Sequence, residues 1–118
     1  MKLEKYIVNS DENLERVISK IILNSKRTVL VISKKKIIGT ISEGDVLRSL
    51  LQNKNLSSPA KNIMNKSFKY VKSNYSNKDI KNIFVKFNIN ILPVLDKKFR
   101  LKRIITLKDI INKKWGKF

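Results

Sequence analysis

Apolar residues along this chain of 118 amino acids follow two spacings, one typical of helices and one typical of strands. Between residues 14 and 22 they recur at i, i+3, i+4, i+7 and i+8, which predicts a helix with one apolar face. Residues 10–12 precede this segment with a capping oxygen and two acids, so we expect the helix to begin there. The β-branched runs 5–8 and 28–32 predict strands on either side. The apolar helix positions are Leu14, Val17, Ile18, Ile21 and Ile22.

A hairpin and a second helix follow. Residues 33–36 are polar and few, which predicts a tight turn and makes the strand 37–41 antiparallel to its predecessor. Ser42 then begins a helix, and the first unit has the order β-α-β-β-α. We expect the apolar face of this helix to lie in the core; its members are Val46, Leu47, Leu50 and Leu51.

The same order of elements returns with a period of 64 residues, so the chain is a tandem repeat. Ser42 maps onto Thr106, and Asp45 maps onto Asp109. We therefore predict an α+β fold made of repeat 1 at 1–54, a polar linker at 55–61 and repeat 2 at 62–118.

In the second repeat, residues 68–71, 89–95 and 100–105 predict strands. Pro93 lies within the second of these, which predicts an interruption near its start or a position at a sheet edge. Ser76 and Asp79 predict a capping box at the start of a helix. The core face of that helix is predicted at Ile80, Ile83, Phe84 and Phe87. We expect Trp115, just beyond the last helix, to act as a C-terminal anchor.

Composition narrows the chemistry. The chain has neither cysteine nor histidine, which excludes disulfides, thiolate chemistry and the commonest transition-metal ligand. We therefore expect no metal site, no cofactor and no catalytic residue. The apolar runs are far shorter than the roughly 20 residues of a membrane span, and no signal peptide is evident. A soluble cytoplasmic protein is expected.

The formal net charge of +18 is extreme for this length. It favours anionic partners such as nucleic acids or nucleotides. A general compositional bias toward Lys, Asn and Ile would explain the same charge without any partner, because the lysines are scattered and residues 34–36 form the only triple.

The junction between the strand 37–41 and the next helix is the best candidate site. Amides in a first helical turn and the helix dipole favour a phosphate, and Ser42 would add a donor. Asp45 is an acceptor suited to both hydroxyls of a ribose. Gly39 and Gly44 would let a ligand approach the backbone. The same Ser-x-x-Asp pattern is also a capping box that needs no ligand, and a ligand could replace the cap on binding.

Four segments of the chain resemble a known family. Residues 39–46, 62–64, 91–96 and 104–110 are similar to a pair of cystathionine-β-synthase-type domains, or CBS domains. Residues 62–64 fit the point at which that family's second repeat begins. The resemblance covers nearly the whole chain. It implies two repeats related by a pseudo-twofold axis, with two equivalent clefts that bind AMP, ADP, ATP or S-adenosylmethionine.

The resemblance also implies a regulatory role and assigns residues to each cleft. Such pairs control an attached or associated enzyme, and this one resembles those ahead of sugar-phosphate nucleotidyltransferases. Because the chain ends soon after the second repeat, we expect it to be excised from a longer protein whose catalytic domain is elsewhere. The Asp45 cleft would combine its motif with residues of the other repeat: Gly39, Thr40, Ser42, Asn65, Tyr70, Ile89 and Asn90. The Asp109 cleft would use Thr106, Ile7, Lys26 and Arg27.

We expect the Asp45 cleft to bind nucleotide better, because Arg103 and Lys108 stand in the second repeat where Gly39 and Gly44 stand in the first. We also expect a homodimer that associates through apolar helix residues. The candidates for that contact are Val46, Leu50 and Phe84.

Two other functions stay open. The chain could bind nucleic acid or another polyanion through its charge, although no sequence-specific nucleic-acid partner is expected. It could also be a structural dimerisation module with empty clefts. Lysines gathered on one face would favour polyanion binding, and a cleft filled by its own side chains would favour the structural module.

Overall fold

A computed structural model describes residues 3–112, so the predicted anchor Trp115 lies outside the described residues. The chain forms two compact units that divide between Phe68 and Lys69. This division falls later than the linker at 55–61, because the segment after the first repeat packs back on the first unit.

The first unit is a three-stranded sheet with two helices. The regular elements are β1 (Ile7–Asn9), α1 (Leu14–Asn24), β2 (Thr28–Ser33), β3 (Lys36–Ser42) and α2 (Glu43–Leu51). β1 lies parallel to β2, which pairs antiparallel with β3, in the order β1-β2-β3. Short 3-10 helices at Leu3–Tyr6 and Ala60–Asn62 complete the unit.

The second unit repeats this topology. The elements are β4 (Val71–Lys72), α3 (Asn77–Phe87), β5 (Ile91–Leu95), β6 (Leu101–Thr106) and α4 (Leu107–Asn112). The sheet has the order β4-β5-β6, again with a parallel and then an antiparallel pair. The α+β class and the two β-α-β-β-α repeats are therefore confirmed, while the twofold relation between the repeats stays a prediction.

The strand register shows how closely the repeats correspond. Val31 pairs with Gly39, and Val94 pairs with Arg103; the register shifts immediately after Val31 and again after Val94. The offset between the repeats is 63 residues up to the hairpin and 64 beyond it. The difference arises in the turn, which spans residues 33–36 in the first unit and 96–100 in the second.

Helix α1 begins later than its sequence predicts. Asn13 is the N-cap and accepts a hydrogen bond from the Arg16 amide at 3.0 Å. Residues 10–12 instead form a turn in which the Glu12 carboxylate accepts from the Asn9 amide at 2.7 Å. The prediction of a helix start at residues 10–12 was wrong, because the acid closes the turn before the helix.

The segment after α2 supplies further caps for α1. The amides of Leu14 and Glu15 donate to the carbonyls of Ser58 and Leu56 at 2.9 and 3.1 Å. These are first-turn amides that have no acceptor within the helix. Ala60 is fully buried in the first core, so this segment is an integral part of the first unit.

The helix faces are buried less completely than their periodicity predicts. On α2 only Val46 and Ser49 are buried, while Leu47, Leu50 and Leu51 are 64%, 45% and 86% exposed. The hydroxyl of Ser49 donates to the Val46 carbonyl at 2.7 Å, so its burial leaves no unpaired donor. On the other helices, Ile22 and Phe87 are also exposed. The prediction that the five exposed residues lie in the core was wrong; they are Leu47, Leu50, Leu51, Ile22 and Phe87.

Two strand predictions in the second repeat also need correction. The strand predicted at 68–71 is only Val71–Lys72. Pro93 lies inside a continuous β5, fully buried and in the centre of the sheet. A proline is tolerated there because β4 is so short that it pairs only with Val94 and Leu95. Pro93 therefore has no partner residue on β4, and its missing N–H costs no hydrogen bond to that strand.

Candidate functional site

The strand-to-helix junction at Ser42 is a complete capping box. The Asp45 amide donates to Ser42 Oγ at 3.2 Å, and the Ser42 amide donates to Asp45 Oδ2 at 2.9 Å. Ser42 Oγ also donates to Asp45 Oδ2 at 3.0 Å. Both residues are half-buried where β3 ends and α2 begins. The hydroxyl and the carboxylate predicted from the sequence are thus adjacent.

Arg48 completes this cluster and was missed by the sequence reasoning. Its Nη2 donates to Asp45 Oδ1 at 2.6 Å, so both carboxylate oxygens of Asp45 have partners. The guanidinium also covers Gly44, where an added Cβ would lie 3.3 Å from Nη1. The Asp45-x-x-Arg48 spacing, which places both side chains on one helix face, was the available signal.

The space beside Gly39 is filled by Met64. A Cβ at Gly39 would lie 2.7 Å from the Met64 sulfur and 3.0 Å from its Cβ. The space that a missing side chain leaves at Gly39 is therefore occupied by Met64 in this structure, and a ligand contact at Gly39 stays a prediction. The physical cause is the returning segment, which lays Met64 against β3.

Asn65 holds that segment on β3 through its backbone. Its amide donates to the Thr40 carbonyl at 2.7 Å, and the Thr40 amide donates back to the Asn65 carbonyl at 3.1 Å. The structure thus brings Thr40 and Asn65 together two residues before Ser42, within the first unit.

Arg27 lies at the same junction. Its carbonyl accepts from the Glu43 amide at 2.9 Å, and its Nε lies 3.8 Å from Glu43 Oε1. The neighbouring Lys26 donates its amide to Asn24 Oδ1 at 2.7 Å. Arg27 therefore contacts the motif of its own repeat; its predicted role in the Asp109 cleft, like that of Lys26 and Ile7, stays a prediction.

The second repeat has an equivalent junction. Asp109 Oδ2 accepts from the Thr106 amide at 2.8 Å, and the Asp109 amide donates to Thr106 Oγ1 at 3.1 Å. The Leu107 amide donates to the Asn90 carbonyl at 2.9 Å, as Glu43 does to Arg27. Thr106 is buried. Lys108 and Asn112 occupy the positions of Gly44 and Arg48.

The remaining predicted site residues lie in the second unit. Tyr70 packs edge-to-face on Phe99, with ring centroids 5.3 Å apart, and Ile89 packs against the second core. Their predicted contribution to the Asp45 cleft stays a prediction, as does that of Asn90.

Two other kinds of feature, a cluster of metal-binding side chains and a membrane-spanning helix, are absent from residues 3–112. No group of three or more Asp or Glu side chains in this range could hold a metal ion. The same range contains no helix with the length and apolar character needed to cross a bilayer.

Comparison with known proteins agrees with this architecture. The family model of the CBS domain matches residues 2–52 and 60–116, which include both strand-to-helix junctions. The chain belongs to the CBS domain family. No curated protein matches this CBS pair.

Several solved structures share the fold of the CBS pair. The CBS domains of a transcriptional regulator from Streptococcus pneumoniae are 15% identical, with a TM-score of 0.80 over 96% of this chain and 92% of that one. CBS domain protein PAE2072 from Pyrobaculum aerophilum, complexed with AMP, is 19% identical, with a TM-score of 0.76 over 92% and 85%. The cytosolic domain of the Mg²⁺ channel MgtE, in complex with ATP, is 19% identical, with a TM-score of 0.76 over 95% and 46%. At these identities the likeness concerns the fold.

Proposed function

We propose that this CBS pair is a regulatory module that binds an adenine nucleotide at the Ser42–Asp45 junction. The observation that carries the proposal is that a hydroxyl and a carboxylate form the same reciprocal bonds at the same strand-to-helix junction in both repeats. The AMP and ATP complexes of PAE2072 and MgtE support the choice of ligand.

A capping box alone would not support this proposal. Ser76 and Asp79 form the same box at the start of α3, where a loop precedes the helix. The junction at Ser42 differs because a strand with one buried face leads directly into it and because Arg48 brings a positive charge to its carboxylate. The helix dipole and this charge favour a phosphate, and Asp45 would accept the ribose hydroxyls.

The proposal extends to what the module does. It would have no catalytic residues and no cofactor of its own, and it would pass the state of its site to an attached or associated enzyme in the cytoplasm, such as a sugar-phosphate nucleotidyltransferase. The absence of histidine and cysteine supports a binding role rather than a catalytic one.

A thermal-shift panel of AMP, ADP, ATP and S-adenosylmethionine tests the binding. A ligand at 100 times its dissociation constant stabilises the fold by about 2.7 kcal/mol, which corresponds to a rise of several degrees in Tm for a domain of this size. If no ligand of the panel moves Tm at millimolar concentration, the proposal is wrong.

One observation favours a second candidate, the structural dimerisation module. Met64 fills the space beside Gly39, and Arg48 occupies Asp45 Oδ1, so the chain's own side chains cover part of the motif. The thermal-shift panel separates the candidates, because a structural module would not respond to any nucleotide.

A further inference from the structure

Arg48 holds a position at the first junction that has no counterpart in the second. It lies one turn after Asp45 and is 67% exposed in its side chain, whereas the Asp45 side chain is 17% exposed. In the second repeat the corresponding residue is Asn112. The two junctions therefore share the hydroxyl and the carboxylate and differ in the cation beside them.

The first turn of α2 also offers a donor beside this cation. The amide of Ser42 is bonded to Asp45 Oδ2, that of Glu43 to the Arg27 carbonyl and that of Asp45 to Ser42 Oγ. Among the described residues, no acceptor is found for the Gly44 amide. The Arg48 guanidinium lies over Gly44, so a free amide and a fork of N–H donors lie close together.

We propose that Arg48 is a latch that makes the first site select adenosine phosphates over ligands without a phosphate. This inference rests on the proposed function. In the closed position the guanidinium bonds Asp45 Oδ1; when a nucleotide binds, it turns to the phosphate, and Oδ1 becomes an acceptor for the ribose.

The exchange is physically accessible. An exposed ion pair contributes little stability, so breaking the Arg48–Asp45 contact costs little free energy. A phosphate offers more charge and more acceptor oxygens than one carboxylate oxygen, and a guanidinium binds it through two parallel N–H bonds. S-adenosylmethionine carries a sulfonium cation where AMP carries its phosphate, and its one carboxylate is offset by the neighbouring ammonium, so it would gain less from the latch than AMP does.

Calorimetric titration of the full chain with adenosine, AMP and S-adenosylmethionine tests the latch. We expect the wild type to bind AMP more tightly than the other two. Arg48→Gln should weaken AMP by about ten- to a hundred-fold, the range expected for lost hydrogen bonds to a charged group. It should leave adenosine unchanged or bound more tightly, because Asp45 Oδ1 is released.

A matched control removes an equivalent charge elsewhere in the first unit. Arg16 is 57% exposed on α1 and bonds Glu12 with its Nε 3.3 Å from Oε2, so Arg16→Gln should leave both affinities as in the wild type. If Arg48→Gln leaves AMP unchanged, or weakens AMP and adenosine equally, the latch is wrong while the proposed function stands. If the wild type binds none of the three ligands, ADP and ATP are titrated in place of AMP; if neither binds, the proposed function and the latch both fall.

Arg48→Lys is a second variant that keeps the test valid if Arg48→Gln does not fold. It retains the charge and the helix propensity but loses the fork, so AMP affinity should lie between those of the wild type and Arg48→Gln. AMP affinity equal to that of the wild type would contradict a role for the planar fork.

Discussion

Gly39 and Gly44 belong to one motif, yet they meet different neighbours. A side chain at Gly39 would meet Met64 near its backbone, with the nearest atom 2.7 Å away. A side chain at Gly44 would meet only the mobile end of Arg48, at 3.3 Å. Gly39 is therefore required by packing within the first unit, whereas Gly44 is not.

The two glycines should respond oppositely to alanine. Gly39→Ala should cost about 1–3 kcal/mol of unfolding free energy through overpacking. Gly44→Ala should stabilise the fold by up to about 1 kcal/mol, because alanine is the better helix former. Chemical denaturation measures both.

The Met64→Ala background provides the control for the first variant. Truncating Met64 makes room for the new methyl group, so Gly39→Ala should cost less there than in the wild type. An equal cost in both backgrounds would show that Met64 is not what the methyl group meets.

Single residues were predictable where local chemistry determines them. Ser42, Asp45, Thr106 and Asp109 follow from a strand that runs into a capping box, and the structure has both boxes. Met64 against Gly39 was not predictable, because it depends on a segment that returns to β3, where Asn65 pairs with Thr40, 25 positions earlier in the chain. Sequence periodicity carries no information about such an approach.

At the scale of elements, the two hairpin turns are closed in different ways. The first places Lys34 and Lys35 at positive φ, 51° and 69°, which non-glycine residues rarely adopt. The second is closed by Asp96, whose carboxylate accepts from the Lys98 and Arg100 amides at 2.8 and 2.9 Å and from Arg100 Nε at 2.7 Å. The hydrogen bond from the Arg100 amide is the main cause that lowers the pKa of Asp96 to about 2, against an opposing effect of desolvation.

Asp96 should make the second hairpin sensitive to acid. Because its pKa is lower in the folded state than the ordinary value of about 3.9, its contribution is full above pH 4 and is lost as the pH falls toward 2. Asp96→Asn should therefore be less stable than the wild type at pH 7, and the gap should narrow between pH 4 and pH 2. A gap that is constant across this range would contradict the assignment.

Elements were predictable in type and order but not in burial. The helix faces identify α1, α2 and α3, and the β-branched runs identify the long strands. The exposure of Leu47 and Leu51 was not predictable, because the 3.6-residue period shows that a face is apolar and does not show what covers it. Pro93 was misread because its tolerance depends on the length of a neighbouring strand.

At the scale of the whole molecule, the net charge of +18 acts on every anionic ligand. Its effect is screened within roughly 10 Å at 0.1 M salt. Scattered lysines release counterions without reading bases, so binding to nucleic acid should be weak and independent of sequence. This agrees with a nucleotide, rather than a nucleic acid, as the proposed specific partner.

The exposed apolar residues of α2 support self-association. Val46 and Phe84, two of the three residues expected at a dimer contact, are buried within their own units, so that part of the prediction was wrong. Leu50 is exposed, together with Leu47 and Leu51. We predict a homodimer that uses this face.

Light scattering tests the association. The wild type should be dimeric, and Leu47→Glu should be monomeric yet folded, because the side chain is already in contact with solvent. Ile22→Glu on α1 is the control; Ile22 is 72% exposed, and its substitution should leave the dimer intact. A wild type that is monomeric at high concentration would contradict the prediction.

The central claim is that the Ser42–Asp45 junction binds an adenine nucleotide beyond its role as a helix cap. Calorimetric titration of AMP into Asp45→Ala and Asp79→Ala tests it most directly, since each variant loses one capping box and only the first loses the proposed ribose acceptor. Both should lose stability by a similar amount, about 1 kcal/mol. We predict that Asp79→Ala binds AMP as the wild type does and that Asp45→Ala binds it at least about ten-fold more weakly. Equal affinity of the two variants for AMP would contradict the claim.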